Sequence, residues 1–545
     1  MEAPLAGSQP SVARSTAVMS AGTILSRLTG FVRQWSMAVA LGVSLAATGA
    51  IPIASSFNIA NNIPNMIYEL VAGGVLSSLF VPIFLERMQR DGESEAWRTT
   101  NTLFSLFLVV LGIVALIGTL FPQPFVWTQT FTKAAEQRDL AVYLFRFFAV
   151  QIIFYAFVAL STGVLSSYRK FFAPAIAPLF NNVVVTVVLL GFYLPLHTSN
   201  PHLAIIALGV GTTLGVVALF CAQVPALLRT GFRFHWSMDL KDPALRKMLR
   251  KGVWVLAYVG VNMVQISFRN AFATATMPDG SAALQYAWMW YQLPYGVLAV
   301  SYITAVFTEL SFTANSQDWD AFKGYFSRGL RAMSLLILPS AAMLLALATP
   351  LVSLYRFGAF PATAIPLVAT VLSGWAAGLF FFSASVLVLR AFYAMQDTRT
   401  PAIVNGALTV VQVALYWALP RLIGGRFALV GIPIADAIFF CLLLISLLVI
   451  LRRRIGGFGF AHVLDGWGRS LAGAVVGGAM AWAVLLATSG LGTGALSNIL
   501  RIVVGAGAGL SLSYVALRLL RIDELSYVNG LLKRAFGRFL PPGAS

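Results

Sequence analysis

Residues 23–86 form one long apolar stretch with Arg27, Arg33 and Glu69 set inside it. An ionised side chain at the centre of a bilayer-spanning helix costs at least about 2.5–3.5 kcal/mol. Charges in such a stretch are therefore expected to face a wet, protein-lined space and not lipid. Composition agrees with a membrane setting: 59% of the 545 residues are hydrophobic, 10% are charged, and the mean hydropathy is +0.82. That leaves too little polar surface for a soluble fold. At roughly 20 apolar residues per span, the length predicts an all-α polytopic membrane protein of about fourteen transmembrane helices.

The apolar runs place these helices at 14–41, 46–86 (broken near Pro64), 98–124, 138–166, 173–195, 202–226, 244–277, 281–312, 320–355, 364–393, 400–420, 427–452, 468–489 and 495–519. Residues 1–13 lack the basic flank and apolar core of a cleaved signal peptide, so they read as a cytoplasmic N-terminal segment preceding a retained first span. A basic linker at 227–243 and a basic tail at 520–545 are also expected to be cytoplasmic. Of the 37 Lys and Arg, six (Lys133, Arg138, Arg356, Arg421, Arg426, Arg501) fall in outer loops on this reading and four (Arg27, Arg33, Arg146, Arg269) within helices. The remaining 27 fall on the inner side, the bias expected when the number of spans is even and both termini are cytoplasmic.

Three prolines recur at nearly one offset. Pro64 in NNIPNMIYELVAGG matches Pro294 in WYQLPYGVLAV, Pro122 matches Pro350, and Pro174 of FFAPAI matches Pro401 of TRTPAI, 227 to 230 residues apart. The repeat predicts two six-helix lobes, 14–226 and 244–452, related by a pseudo-two-fold along the membrane normal. Helices at 468–519 then stand outside the repeat, and a substrate path is expected between the lobes.

The net charge of +18 is compatible with nucleic acid or with positive-inside loops touching anionic phospholipids. In a polytopic chain the second reading is the economical one, and no nucleic-acid partner is expected. Cys221 and Cys441 lie in apolar runs, which indicates neither a disulfide framework nor a metal cluster. His197, His202, His235 and His462 are all expected in loops, without ligand spacing. No Walker loop, HExxH or Ser–His–Asp set is present, so the residues carry no enzyme constellation and active transport would need an ion gradient, the membrane potential or product consumption.

The candidate site therefore rests on intramembrane polar groups. Arg27 and Arg33 are six residues apart, a net rotation of about 240°, so they do not share one narrow helix face. Arg27 reads either as cavity-facing or as snorkelling to headgroups. Guanidinium binds phosphate oxygens through a fixed fork and keeps its charge, which makes a pyrophosphate-linked substrate chemically plausible. Asn62 and Asn65 flank Pro64, whose ring frees backbone carbonyls. Glu69 reads as a partner for an arginine or as a gating or proton-coupled group. Arg269 in VQISFRNAFATA adds a third cation, while Asn262, Gln265 and Asn270 of that helix read equally as interhelical glue. Pro64 and Pro294 are the candidate hinges. Glu309 and Asp436 lie near helix ends and are not counted as site residues.

SRLTGFVRQ at 26–34, IPNMIYELVAGGVLSSLFVPIF at 63–84, QLPYGVLAVSYITAVF at 292–307, LPSAAMLLALATPLVSLYRFGAF at 338–360 and FYAMQDTRTPAIVNGAL at 392–408 resemble the MurJ (MviN) family of lipid II flippases, within the multidrug, oligosaccharidyl-lipid and polysaccharide exporter superfamily. The resemblance runs in order over about residues 14–520 and is similar to an actinobacterial-type branch. It implies fourteen helices, a cationic central cavity, a groove at the helices of 468–519 for a polyprenyl tail, and alternating access that moves the undecaprenyl-pyrophosphate-linked peptidoglycan precursor to the outer leaflet of the bacterial plasma membrane. The family's first-helix arginines match Arg27 and Arg33. Departures are Gln34 where many members have Asp, Tyr68 and Glu69 where basic residues often stand, and Trp288 and Met289 in place of a further basic residue. Sodium-binding members use acidic and amide side chains where this chain has Arg269, Gln412 and Tyr416, which speaks against that sodium site. Cell-wall synthesis proteins are further expected partners. A flippase for another polyprenyl-linked glycan, a drug exporter of the superfamily and a non-transporting scaffold for cell-wall synthesis are the alternatives.

Overall fold

The computed structural model describes residues 12–43, 52–69, 80–133, 138–522 and 524–525, with side chains from 25 onward apart from a few positions near 82 and 244–252. Most of the expected N-terminal segment, residues 70–79 of the second expected span and the tail beyond 525 lie outside them. Packing gathers the chain into two compact units, Met1–Ala282 with Phe357–Phe360, and Ala283–Arg356 with Pro361–Ser545.

The first unit contains α1 (Val12–Leu41), α2 (Ile53–Glu69), α3 (Val81–Arg90), α4 (Glu93–Leu120), α5 (Gln123–Trp127), α6 (Asp139–Phe148), α7 (Gln151–Ser167), α8 (Phe172–Val187), α9 (Leu194–Ser199), α10 (Pro201–Cys221), α11 (Val224–Leu228) and α12 (Pro243–Thr276). Further along the chain come α13 (Gly280–Pro294), α14 (Val300–Asn315), α15 (Trp319–Ala346), α16 (Ala348–Ser353), α17 (Ile365–Ala394), α18 (Arg399–Ile423), α19 (Gly431–Ile455), α20 (Phe460–Ala487) and α21 (Ala495–Leu519). Two π-helical segments, Val188–Tyr193 and Tyr295–Ala299, join α8 to α9 and α13 to α14 without a break. No strand occurs among the described residues.

Among the described residues ten helical segments are long and apolar enough to cross a membrane, and eleven if α6 and α7, bent by 44° at their junction, count as one span. This falls short of the fourteen expected. The three expected spans outside that set contain α1, α2 and α12, the helices that bear Arg27, Arg33, Glu69 and Arg269. Their charges and amides lower the very hydropathy by which a span is recognised, and only 17 residues of α2 are described before residue 70.

The second expected span also differs in detail. A break near Pro64 is expected, yet α2 continues five residues past the buried Pro64 to Glu69. The Pro ring disturbs the carbonyls of the preceding turn, and the Asn65 side chain donates to the Asn61 carbonyl at 2.8 Å, which keeps that acceptor satisfied. Three of the four histidines expected in loops lie in helices: His197 in α9, His202 in α10 and His462 in the first turn of α20.

In the first unit α8 packs along α1, and Asn182 donates to the Ser26 carbonyl at 3.1 Å and to Thr29 at 3.2 Å. The segment Phe357–Phe360 belongs to this unit: the Ala359 N–H donates to the Val39 carbonyl at 2.8 Å, beside Gly358 in the left-handed region. In the second unit α15 carries the buried Arg331, whose guanidinium meets Glu524 at 3.0 Å through two nitrogens and also contacts His462 of α20. Behind it, Leu335, Leu517, Ile522 and Leu525 form an apolar cluster that holds the chain after α21 against α15.

Helices α20 and α21 meet through glycines spaced four apart, Gly473 and Gly477 on one and Gly505 and Gly509 on the other. A Cβ on Gly477 would lie 2.5 Å from the Gly509 carbonyl oxygen, and one on Gly509 would lie 2.7 Å from that of Gly477. Close backbone approach of this kind is how helices gain packing energy where lipid offers no hydrophobic drive. Gly509→Leu is expected to force the pair apart and to lower the midpoint of thermal unfolding in detergent, since overpacking costs about 1–3 kcal/mol. An unchanged midpoint would show that the seam is not tight.

Candidate functional site

The site grows from α1. Arg27 is exposed and Arg33 half-buried, as their 240° offset requires, and the following Gln34 and Ser36 are buried. The sequence SRLTGFVRQ forms helix although it holds Thr, Gly and Ser, because local bonds use their polar atoms: Thr29 donates to the Leu25 and Ser26 carbonyls and Ser36 to the Val32 carbonyl. Asn182 from α8 then fixes the turn that precedes Arg33.

Arg33 lies within electrostatic range of the Tyr155 hydroxyl on α7. Tyr155 is buried, its ring packs on Tyr68 of α2 with centroids 5.0 Å apart, and the Asn65 side chain lies near its hydroxyl. The next residue along α2 is Glu69, exposed at the last described position of that helix and in electrostatic range of Arg269 on α12. Four of the sequence-predicted residues, Arg33, Asn65, Glu69 and Arg269, thus lie in one neighbourhood of the first unit, around the packed rings of Tyr155 and Tyr68. Asn62 is half-buried one turn earlier on α2. Arg27 sits on another face of α1. Pro64 is inside α2, and Pro294 immediately precedes the π-helical segment Tyr295–Ala299 in the second unit.

Arg269 is held from below by a tether that sequence reasoning missed. The buried Asn270 donates to Gln129 at 2.6 Å, Thr132 donates to the Ala271 carbonyl at 2.7 Å, and the Phe131 ring packs on Phe268 and Phe272. Asn270 is therefore interhelical glue, one of the two readings open to it. Gln129 follows Trp127 in a short apolar segment, and nothing local marks it as a partner for a residue 141 positions away.

The second unit contains a buried carboxylate that nothing in the local sequence marks. Asp436 lies in the second turn of α19 and accepts hydrogen bonds from Trp375 of α17 at 2.9 Å, Gln412 of α18 at 2.8 Å, and the Tyr416 hydroxyl. Gln412 and Tyr416 do face a carboxylate, supplied by the next helix. The groups around it are N–H and O–H donors, and Gln412 Oε1 is the acceptor left without a hydrogen bond among the described residues. Among the described residues no group of three or more His, Cys, Asp or Glu is placed to hold a metal ion.

Guanidinium groups in such a neighbourhood keep their charge and suit an anion with paired oxygens. Residues 45–504 match the family described as Lipid II flippase MurJ. The chain belongs to that family. The Lipid II flippase MurJ of Burkholderia cenocepacia is 28% identical over 488 residues, covering 87% of this chain and 90% of the relative. A probable lipid II flippase MurJ of Synechocystis sp. is 25% identical across 98% and 99% of the two chains. Among solved structures, one described as lipid II flippase MurJ in an inward closed conformation superposes with a TM-score of 0.74 at 21% identity, over 93% of this chain and all of the other. A multidrug resistance MATE family transporter of the MOP superfamily, inward-facing, follows at 0.64 and 14% identity, over 81% of this chain and 98% of that one. These structures share the fold. The family and the apolar helices together make this a multi-pass membrane protein, a transporter of the MurJ family and not an enzyme.

Proposed function

We propose that this chain moves lipid II, the undecaprenyl-pyrophosphate-linked peptidoglycan precursor, from the cytoplasmic to the outer leaflet of a bacterial plasma membrane by alternating access, with both termini in the cytoplasm. The observation that carries the reading is the MurJ match over residues 45–504, and the arginines supply its chemistry. Arg33 and Arg269 offer fixed positive charge to the pyrophosphate, and Arg27, more exposed, meets it at entry. Guanidinium forks replace hydration that the pyrophosphate loses on leaving water. Glu69 moderates the field of Arg269, Asn62 and Asn65 offer amides to the sugar or peptide, and Pro64 and Pro294 absorb the change of helix direction. An inside-negative potential favours outward movement of negative charge by about 2.3 kcal/mol per charge per 100 mV. Contacts with anionic phospholipids and with cell-wall synthesis proteins belong to the same proposal.

Acute depletion of the protein in a bacterium that relies on it is expected to trap lipid II in the inner leaflet. A leaflet-resolved assay, in which an added colicin or label reaches only externally displayed precursor, reads this directly. Undiminished external lipid II after depletion would overturn the assignment.

A further inference from the structure

We propose that the loop between α11 and α12 is an interfacial membrane anchor, which sets Phe234, Trp236, Met238 and Leu240 into the headgroup–acyl boundary of the bilayer. The segment Phe232–Lys241, FRFHWSMDLK, has no regular secondary structure and is pinned along the first half of α4. Phe232 is buried against Trp97 and Phe104. Asn101 of α4 then pairs with the loop backbone in both directions, its amide donating to the Arg233 carbonyl at 3.2 Å and its oxygen accepting from the His235 N–H at 3.0 Å. The Ser237 N–H donates to Ser105 at 3.1 Å, and the hydroxyls of Ser237 and Thr102 lie 2.9 Å apart. At the far end Arg98 meets Asp239 at 3.3 Å, while the buried Asp242 accepts from Thr99 at 2.8 Å and pairs with Arg87.

Residues 233, 235, 237 and 239 are those tied to α4, so in an extended chain the alternate residues project the other way. They are Phe234, Trp236, Met238 and Leu240, and they are 49%, 59%, 41% and 59% exposed. Four large apolar side chains in a row on one side of a pinned loop form a contiguous patch that water does not favour.

The level of the loop along α4 identifies what covers it. The 28 residues of α4 span about 42 Å, against a hydrocarbon core of about 30 Å. Counting about 20 residues back from Leu120 puts the hydrocarbon boundary near Asn101. The loop therefore lies at the boundary itself, over the polar side chains of Asn101, Thr102 and Ser105 that would otherwise face it. Exposed apolar residues on α4 begin further along, at Val110, Ile113, Leu116, Ile117 and Leu120. Aromatic rings and apolar side chains flanked by the exposed Arg233 and Lys241 suit a layer that is acyl on one side and anionic on the other.

The test uses the full chain with Cys221→Ser and Cys441→Ser, carrying one nitroxide-labelled cysteine at each of positions 233 to 240 in turn. The labelled proteins are reconstituted in nanodiscs of phosphatidylglycerol and phosphatidylcholine. The ratio of collision with oxygen to collision with an aqueous nickel chelate is expected to be several-fold higher at 234, 236, 238 and 240 than at 233, 235, 237 and 239. Even positions as open to the chelate as odd ones would make the loop solvent-borne and overturn the anchor. Even positions shielded from both reagents would show that protein covers the patch, and would also overturn it. A label at 236 could disturb the loop, so a second measurement leaves it intact: brominated phospholipids are expected to quench the wild-type tryptophan emission more than that of Trp236→Phe. Equal fractional quenching of the two would count against the proposal.

Discussion

Arg33→Ala is expected to abolish rescue of a flippase-depleted bacterium while the variant is still made and inserted. Arg33 is half-buried, and its electrostatic neighbour in the structure is the neutral Tyr155 hydroxyl, so the native fold does not depend on it for an ion pair with that residue. Its loss should therefore leave stability nearly intact and fall on substrate binding. Removing one partner of a desolvated charge-assisted contact costs about 2–5 kcal/mol, a fall on the order of 30-fold or more. Arg33→Lys keeps the charge and loses the fork, so it is expected to rescue weakly. Arg27→Ala should be milder, because Arg27 is exposed on another face of α1. The readout is growth after depletion, with external lipid II as the direct measure. Full rescue by Arg33→Ala would remove this arginine from the mechanism.

Arg331→Ala is expected to have the largest effect on stability. The guanidinium and the Glu524 carboxylate are both nearly inaccessible to solvent, with paired contacts of 3.0 Å, and His462 lies against the same guanidinium. Truncating one member strands the other, at a cost of about 3–5 kcal/mol. The thermal midpoint in detergent should fall by about 3–4 °C for a chain of this length, and the chain after α21 should become sensitive to limited proteolysis. Arg331→Met combined with Glu524→Gln should recover much of the loss, because no unpaired charge is then buried. If Arg331→Ala melts with the wild type and its C-terminal segment resists protease, the ion pair is not what fastens that segment.

The broad architecture was legible because it is written in hydropathy, a property summed over twenty residues at a time. Among the described residues ten or eleven of the fourteen expected spans are apolar enough to cross a membrane, while the three that contain α1, α2 and α12 fall below that apolarity. The arginines at 27, 33 and 269 stood out for the same reason, as charges where charge is costly. What escaped notice depends on partners far away in the chain. Asp436 looked peripheral from its place near a helix start, and its importance comes from Trp375, 61 residues earlier. Gln129 offered no local clue at all. The glycines of α20 and α21 and the alternating Phe234, Trp236, Met238 and Leu240 were open to inspection, since both patterns are local. In the linker 227–243 the basic charge is the dominant signal, and the period-two pattern spans only a few residues within it.

The hydrogen bonds at Asp436 bear on how the second unit can deform. The buried carboxylate of α19 gathers Trp375 of α17 and Gln412 and Tyr416 of α18 at a single point. Separating any one of these helices from the other two strands a polar atom in a dry interior. The three are therefore expected to shift as one lever, with bending left to places of spare backbone such as the wider coil of Tyr295–Ala299.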